Sequence, residues 1–138
     1  MRFMIIVKAT RESEQGVMPG EALIAAMADY HEQLAQAGVL LDAAGLQPSA
    51  NGWRVRYGSG ERRVIDGPFA ETKELVAGYT IIQTRSREEA LEWTRRFPNP
   101  TIDGGACEIE VRRMFELDDF GDNAAAGRLR DMRVLAGH

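Results

Sequence analysis

The topology of this chain turns on Val64-Ile65-Asp66-Gly67-Pro68-Phe69-Ala70-Glu71-Thr72-Lys73-Glu74-Leu75. It joins the return strand of a hairpin to the next apolar run. Asp66-Gly67-Pro68 is turn chemistry: Gly67 accepts backbone angles that other residues resist, and Pro68 fixes φ and removes a donor. Pro68 also biases Gly67 away from helical angles. Phe69 is the only large apolar residue of the loop, so it is expected to plug the loop onto the core. Glu71, Lys73 and Glu74 then set a dense group of titratable side chains beside a sheet.

Just before this stretch, Trp53-Arg54-Val55-Arg56-Tyr57 alternates strictly, with aromatic and aliphatic residues on one face and arginines on the other. Gly58-Ser59-Gly60 is a turn, and Arg62 to Ile65 returns, completing the hairpin. Just after it, Val76 to Gln83 reads as a strand with apolar or aromatic groups on both faces. Phe3-Met4-Ile5-Ile6-Val7 is a second such run. Between the first strand and the hairpin, residues 9–20 read as a polar loop. From Glu21 to Ala37 the period is helical, with Leu23, Met27, Tyr30 and Leu34 in one stripe and Ile24 and His31 beside it. Gly38 ends that helix, and Val39 to about Leu46 is a strand.

Beyond Gln83, Ser86-Arg87-Glu88-Glu89 reads as a capping box that opens a helix to about Phe97. Pro98-Asn99-Pro100 stops it. Thr101 to Ala106 is a loop, and Glu108 to Phe115 alternates as a last strand. From Leu117 the chain turns acidic, and residues 123–136 have the pattern of a weak helix. The expected division is a domain over 1–116 and an extension over 117–138 that is a weak helix or partly disordered, or that lies on a partner subunit.

Without the hairpin the order is βαββαβ, an α+β ferredoxin-like arrangement with an inserted hairpin. That topology puts the two strands that are apolar on both faces in the middle of the sheet. Two helices cover one face. Apolar groups on the other, costing about 25 cal/mol per Å² if left bare, call for a second subunit packed sheet to sheet, a dimeric α+β barrel.

The run from Asp66 to Glu74 resembles the signature of the DGPF-domain branch of the YCII-related (YciI-like) family. Ala37-Gly38-Val39-Leu40-Leu41, Gly45-Leu46-Gln47-Pro48, Ala77-Gly78-Tyr79 and Glu89-Ala90-Leu91-Glu92-Trp93 look familial too. The resemblance covers about residues 1–116 and implies the same dimeric barrel. Proteins resembling the founding branch carry a His on the first helix paired with an Asp after the second helix, which implies acid/base chemistry. His31 matches by position. Pro98-Asn99-Pro100 occupies the region where the Asp is expected, and Asp103 is the nearest carboxylate beyond it.

His31 is therefore the sharpest candidate for a catalytic base, with Asp66 or Asp103 to orient it. A core histidine bonded to backbone fits the same pattern, and Asp66 can equally cap its own turn. Trp53 and Tyr79 are candidates to line a cavity between sheet and helix, or to pack the core. Glu71 and Lys73 can polarise a substrate or simply be solvated. Arg54, Arg56, Arg62 and Arg63 give the hairpin a basic face.

The 138 residues are 44% apolar and 28% charged, ordinary for one soluble globular domain. A net charge of −4 argues against non-specific nucleic-acid binding. Cys107 is the only cysteine, so no intrachain disulfide forms and a cytoplasmic location is expected. Phe3 to Val7 is too short for a secretory or membrane segment. No His pair or Cys cluster suggests a metal, and no glycine-rich phosphate loop opens a helix, so no cofactor is expected. Two functions suit these features. One is a homodimeric small-molecule-binding protein with a pocket near His31, for which the resemblance implies cofactor-independent lyase or isomerase chemistry. The other, by resemblance, is a non-catalytic interaction module linked to extracytoplasmic-function sigma factors.

Overall fold

The computed structural model describes residues 1–132. Strands β1 (Arg2–Lys8), β2 (Leu40–Gly45), β5 (Val76–Gln83) and β6 (Ile109–Arg113) form an antiparallel sheet in the order β2-β5-β1-β6. Helices α2 (Glu21–Gln36) and α3 (Arg87–Arg95) pack on one face. This is the ferredoxin-like βαββαβ order, and the two doubly apolar runs lie at its centre. The hairpin strands β3 (Trp53–Tyr57) and β4 (Arg62–Asp66) form a separate two-stranded sheet.

Register assigns the faces. Phe3 opposite Ile82 and Ile5 opposite Thr80 face the helices. There they join Tyr30 and Leu34 of α2, Val39, and Ala90 of α3 in the core, flanked by Trp93, Phe97 and Ile109. Gly38, at φ 75°, ends α2 as expected; its N–H bonds the Ala35 carbonyl, and the Val39 N–H bonds that of Leu34.

The second face is less bare than its pattern implied. Met4 and Ile6 are half-buried and Ile81 is only 7% exposed. Charge rims them: Asp42 lies opposite Ile81, Arg112 opposite Met4 and Glu110 opposite Ile6. Lys8 lies 3.2 Å from Glu110 and is the main reason that carboxyl sits below its ordinary range. Arg2 is buried against Glu116, 3.1 Å away, and the Phe115 carbonyl, which ties the C-terminal segment to the start of β1.

Several details differ from expectation. Residues 11–14 form a short helix, α1 (Arg11–Glu14), inside the stretch read as loop. The Thr10 hydroxyl accepts from Ser13 N, and Thr10 N donates to Ser13 Oγ. Four residues show no apolar period, so only this reciprocal cap marks the helix. At α3, Ser86 caps Glu89 N as read, but the Glu89 carboxylate reaches one residue further back, to Arg85 N. Phe69 is covered by the Arg54 guanidinium at 3.8 Å instead of entering the core. Of the C-terminal stretch expected to be helical, α4 (Ala124–Met132) is present, and the remainder falls outside the described residues.

Candidate functional site

A cavity of about 930 Å³ lies between the first half of α2 and the sheet. Its origin is in the residues opposite that half-helix. Ala43 faces Thr80, and Gly45 and Val7 face Gly78, so the floor has little side-chain volume. Leu34, a turn further along α2, reaches the fully buried core instead. The Leu23, Ile24 and Met27 side chains thus roof a space while those of Tyr30 and Leu34 fill one. The segment from Thr10 to Pro19 borders one side, and Phe97, Pro100 and Ile102 another. The lining is mostly apolar with a few polar groups, the make-up of a small-molecule site.

His31 stands at the boundary between cavity and core. Its Nδ1 is 2.7 Å from the Met27 carbonyl and its Nε2 is 2.8 Å from Thr80 Oγ1. A carbonyl only accepts, so in the neutral ring Nδ1 carries the hydrogen and Nε2 accepts from the Thr80 hydroxyl. The edges of Tyr30 and Phe97 pack around it. Tyr30 donates to the Trp93 carbonyl at 2.7 Å, joining α2 to α3. Burial pushes its phenol up to about 12, with Arg96 opposing weakly.

Neither carboxylate expected to orient the imidazole does so. The Asp103 carboxylate accepts from Gly105 N at 2.8 Å and is exposed, inside a loop built by Asn99. On that side the cavity is lined by Phe97, Pro100 and Ile102, which carry no charge. Asp66 is exposed at the end of β4, opposite Trp53, and among the described hydrogen bonds its carboxylate caps no turn. Glu71 and Lys73 are exposed on the loop and do not line the cavity. Trp53 does not line it either: it is 65% exposed on the hairpin, whose two strands form a separate sheet. Tyr79 borders the cavity, but its hydroxyl donates to Asp42 on the opposite face, and that carboxylate raises the phenol above its ordinary value.

Two participants escaped the sequence reading. Thr80 was visible only as a hydroxyl residue inside an apolar strand. The other is a polar chain that ties the Asp66–Phe69 turn to Ser49, next in sequence to the cavity-lining Pro48. Ser49 N and Oγ both donate to the Glu14 carboxylate, and Ser49 Oγ accepts from Phe69 N at 3.0 Å. Gly67 sits so close that an added Cβ would overlap the Ser49 carbonyl oxygen. No group of three or more His, Cys, Asp or Glu among the described residues can hold a metal ion. None of the described helices is long and apolar enough to cross a membrane.

A ferredoxin-like α+β sheet with a cavity beneath its first long helix is thus the class this chain defines. The YCII-related domain model matches residues 1–115, and the chain belongs to that family. It is 36% identical over 81 residues to an uncharacterized protein, R00369, of Rhizobium meliloti (strain 1021). That match spans 59% of this chain and 65% of the relative's length. Among solved structures it is similar, at 18% identity and a TM-score of 0.44, to the 5-chloro-2-hydroxyhydroquinone dehydrochlorinase TftG of Burkholderia phenoliruptrix AC1100, in complex with 2,5-dihydroxybenzoquinone. The alignment covers 83% of this chain and 94% of that one.

Proposed function

We propose that this protein binds a small, largely apolar molecule beneath α2 and performs cofactor-independent acid/base chemistry on it through His31, a proton abstraction, elimination or isomerisation. The observation that carries this reading is an imidazole–hydroxyl pair, Nε2 to Thr80 Oγ1 at 2.8 Å, at the wall of an otherwise apolar cavity. The Met27 carbonyl does the work expected of a carboxylate: it fixes the tautomer and accepts from Nδ1 in both protonation states. When the Thr80 hydroxyl turns aside, Nε2 is a free base at the cavity wall. Once protonated, it can donate back to Thr80 Oγ1. General acid/base groups of this kind contribute about 10²–10⁴ in rate. The working unit is a homodimer packed through the sheet face opposite the helices, in the cytoplasm.

The test separates fold from site. Binding of a panel of phenols is measured by calorimetry in wild type, His31→Gln and Met27→Trp, with urea stability measured on each. The reading requires Met27→Trp to abolish binding by filling the space, and His31→Gln to weaken binding without unfolding. Loss of stability with unchanged binding in His31→Gln would make the histidine structural. The second reading, a non-catalytic interaction module linked to extracytoplasmic-function sigma factors, draws on the exposed aromatic face of the hairpin. It requires that hairpin variants lose a bound partner while the cavity variants keep it.

A further inference from the structure

The hairpin is the least explained part of the molecule. Trp53, Val55 and Tyr57 share one of its faces with Val64, which lies directly opposite Val55. These residues are 65%, 39%, 72% and 66% exposed. With aromatic side chains offering about 150–250 Å² each, this face leaves roughly 500 Å² of apolar surface in water, near the upper end of what a monomer shows. A two-stranded ribbon is marginal on its own in water. Among the described residues, the only large exposed aromatic pair elsewhere is Phe115, 71% exposed, and Phe120, 42% exposed, with centroids 5.4 Å apart.

We infer that the hairpin is an arm by which one copy of the chain clasps a second copy, with the Trp53–Tyr57 face seated on the partner's Phe115–Phe120 pair. The inference rests on the sheet-to-sheet homodimer proposed above, and three observations support it.

The first is area. Four strands about 4.8 Å apart and five to eight residues long present only about 400 Å² of flat sheet, roughly half of the ~800 Å² per partner in a stable complex. The apolar face of the arm supplies an amount close to the difference.

The second is position. The hairpin leaves the sheet where β2 ends and β5 begins, with Leu46 N bonded to the Ala77 carbonyl. Phe115 follows β6 at the other end, where Met114 N bonds the Arg2 carbonyl. The eight residues of β5 put about 25 Å between the two ends. The sheet order puts the hairpin at the β2 corner and Phe115 at the diagonal β6 corner, so a twofold axis lying between the packed sheets and perpendicular to that diagonal brings one copy's hairpin end over the other's Phe115 end, twice, in the isologous way of a closed dimer.

The third is charge. The hairpin holds four arginines against Glu61 and Asp66, hence +2 in a chain of −4, which leaves −6 for the rest. Glu116, Asp118, Asp119 and Asp122 surround the aromatic pair with no cation between Phe115 and Asp122. Arg2 and Arg130 of the same chain neutralise part of that charge, at Glu116 and Asp118. Arg62 lies on the aromatic face beside Tyr57 and can meet those carboxylates directly; Arg56 and Arg63 point to the reverse side and add steering field.

Sedimentation velocity over a range of concentrations tests the arm on the full chain. Trp53→Ser/Tyr57→Ser and Phe115→Ser alter exposed positions, so circular dichroism should match wild type, and any fall in melting temperature should be concentration-dependent, as loss of a dimer requires. Each is expected to weaken the dimer by at least about tenfold, as loss of a central aromatic anchor does. Raising the salt concentration should weaken wild type further. A dimer with unchanged affinity in both variants overturns the arm and leaves the sheet-face dimer standing. Weakening by the hairpin variant but not by Phe115→Ser overturns the assigned seat. A wild type that stays monomeric overturns the arm and the homodimer together, without touching the cavity reading.

Discussion

Thr80→Val keeps the shape of the buried side chain and deletes the hydroxyl that faces His31. Thr80 is 2% exposed, and its oxygen is 2.8 Å from Nε2. A bond between neutral groups contributes about 0.5–1.5 kcal/mol net, and an acceptor left bare inside a sealed core adds up to about 3. His31 is not sealed in: it borders the cavity, so water can take the lost donor's place. The expected cost is therefore about 1 kcal/mol, at the low end of that range. The tautomer should not change, because the Met27 carbonyl still holds Nδ1. The variant then presents a free lone pair to the cavity. Diethyl pyrocarbonate acylates such a nitrogen, and in wild type the Thr80 bond must open first. Acylation of His31, followed by peptide mass spectrometry with His138 as internal reference, should run about three- to tenfold faster in Thr80→Val, the factor that ~1 kcal/mol implies. Thr80→Ser should restore the slow rate. An unchanged rate in Thr80→Val, or a stability loss above about 3 kcal/mol, would refute the pairing and place the imidazole in closed core.

Four further outcomes follow from the same geometry. Leu34→Ala, at a fully buried site, should cost about 3–5 kcal/mol, whereas Met27→Ala, over the cavity, should cost about 1; equal shifts in urea midpoint at constant m would mean the space is closed. Gly67→Ala drives a methyl into the Ser49 carbonyl and should cost about 1–3 kcal/mol, with resonance shifts concentrated at 47–52 and 66–70 in amide spectra. Glu14→Gln keeps one acceptor of two and loses charge assistance, about 1–2 kcal/mol, so the Ser49 and Phe69 amides should exchange faster while those of β1 and β5 do not. Tyr30 keeps its proton to about 12 when folded but loses it near 10 when unfolded, so its contribution is whole below pH 10 and is lost as pH rises toward 12, at up to ~1.4 kcal/mol per pH unit; absorbance titration should show that late phenolate step vanish in Tyr30→Phe.

The sheet was legible because its two central strands must be apolar on both faces, and Phe3–Val7 and Val76–Gln83 display that directly. The hairpin was legible as a hairpin but not as an outer arm. Alternation in Trp53–Tyr57 reports that one face is apolar, and carries no information on whether a partner lies on it. His31 was legible from the stripe on α2. Its partners were not. Sequence comparison pointed toward carboxylates, whereas the geometry supplies a backbone carbonyl four residues back and a hydroxyl 49 residues on. Neither leaves a mark in charge or composition. Helix α1 and the Glu14–Ser49 link were invisible for a related reason: both rest on single polar contacts in segments without any period.

What makes His31 more than a core residue is the sheet beneath the helix, not the helix itself. The α2 stripe runs unbroken from Leu23 to Leu34, and on a sheet of uniform bulk all of it would be packed solid. The floor changes from Ile5, Ile82 and Phe3 under the C-terminal half to Ala43, Gly45 and Gly78 toward the other end. Gly78 cannot simply be enlarged, since a Cβ there would lie 3.0 Å from the Ala44 carbonyl oxygen. The cavity is thus written into backbone pairing between β2 and β5, and His31 with Thr80 marks the line where packing stops. An imidazole placed on that line is anchored on its Nδ1 side by the helix, and its Nε2 side is held only by the Thr80 hydroxyl at the cavity wall. The proposed role as a base rests on that division: a ring too firmly held to change tautomer, beside a volume that lets a reactant approach.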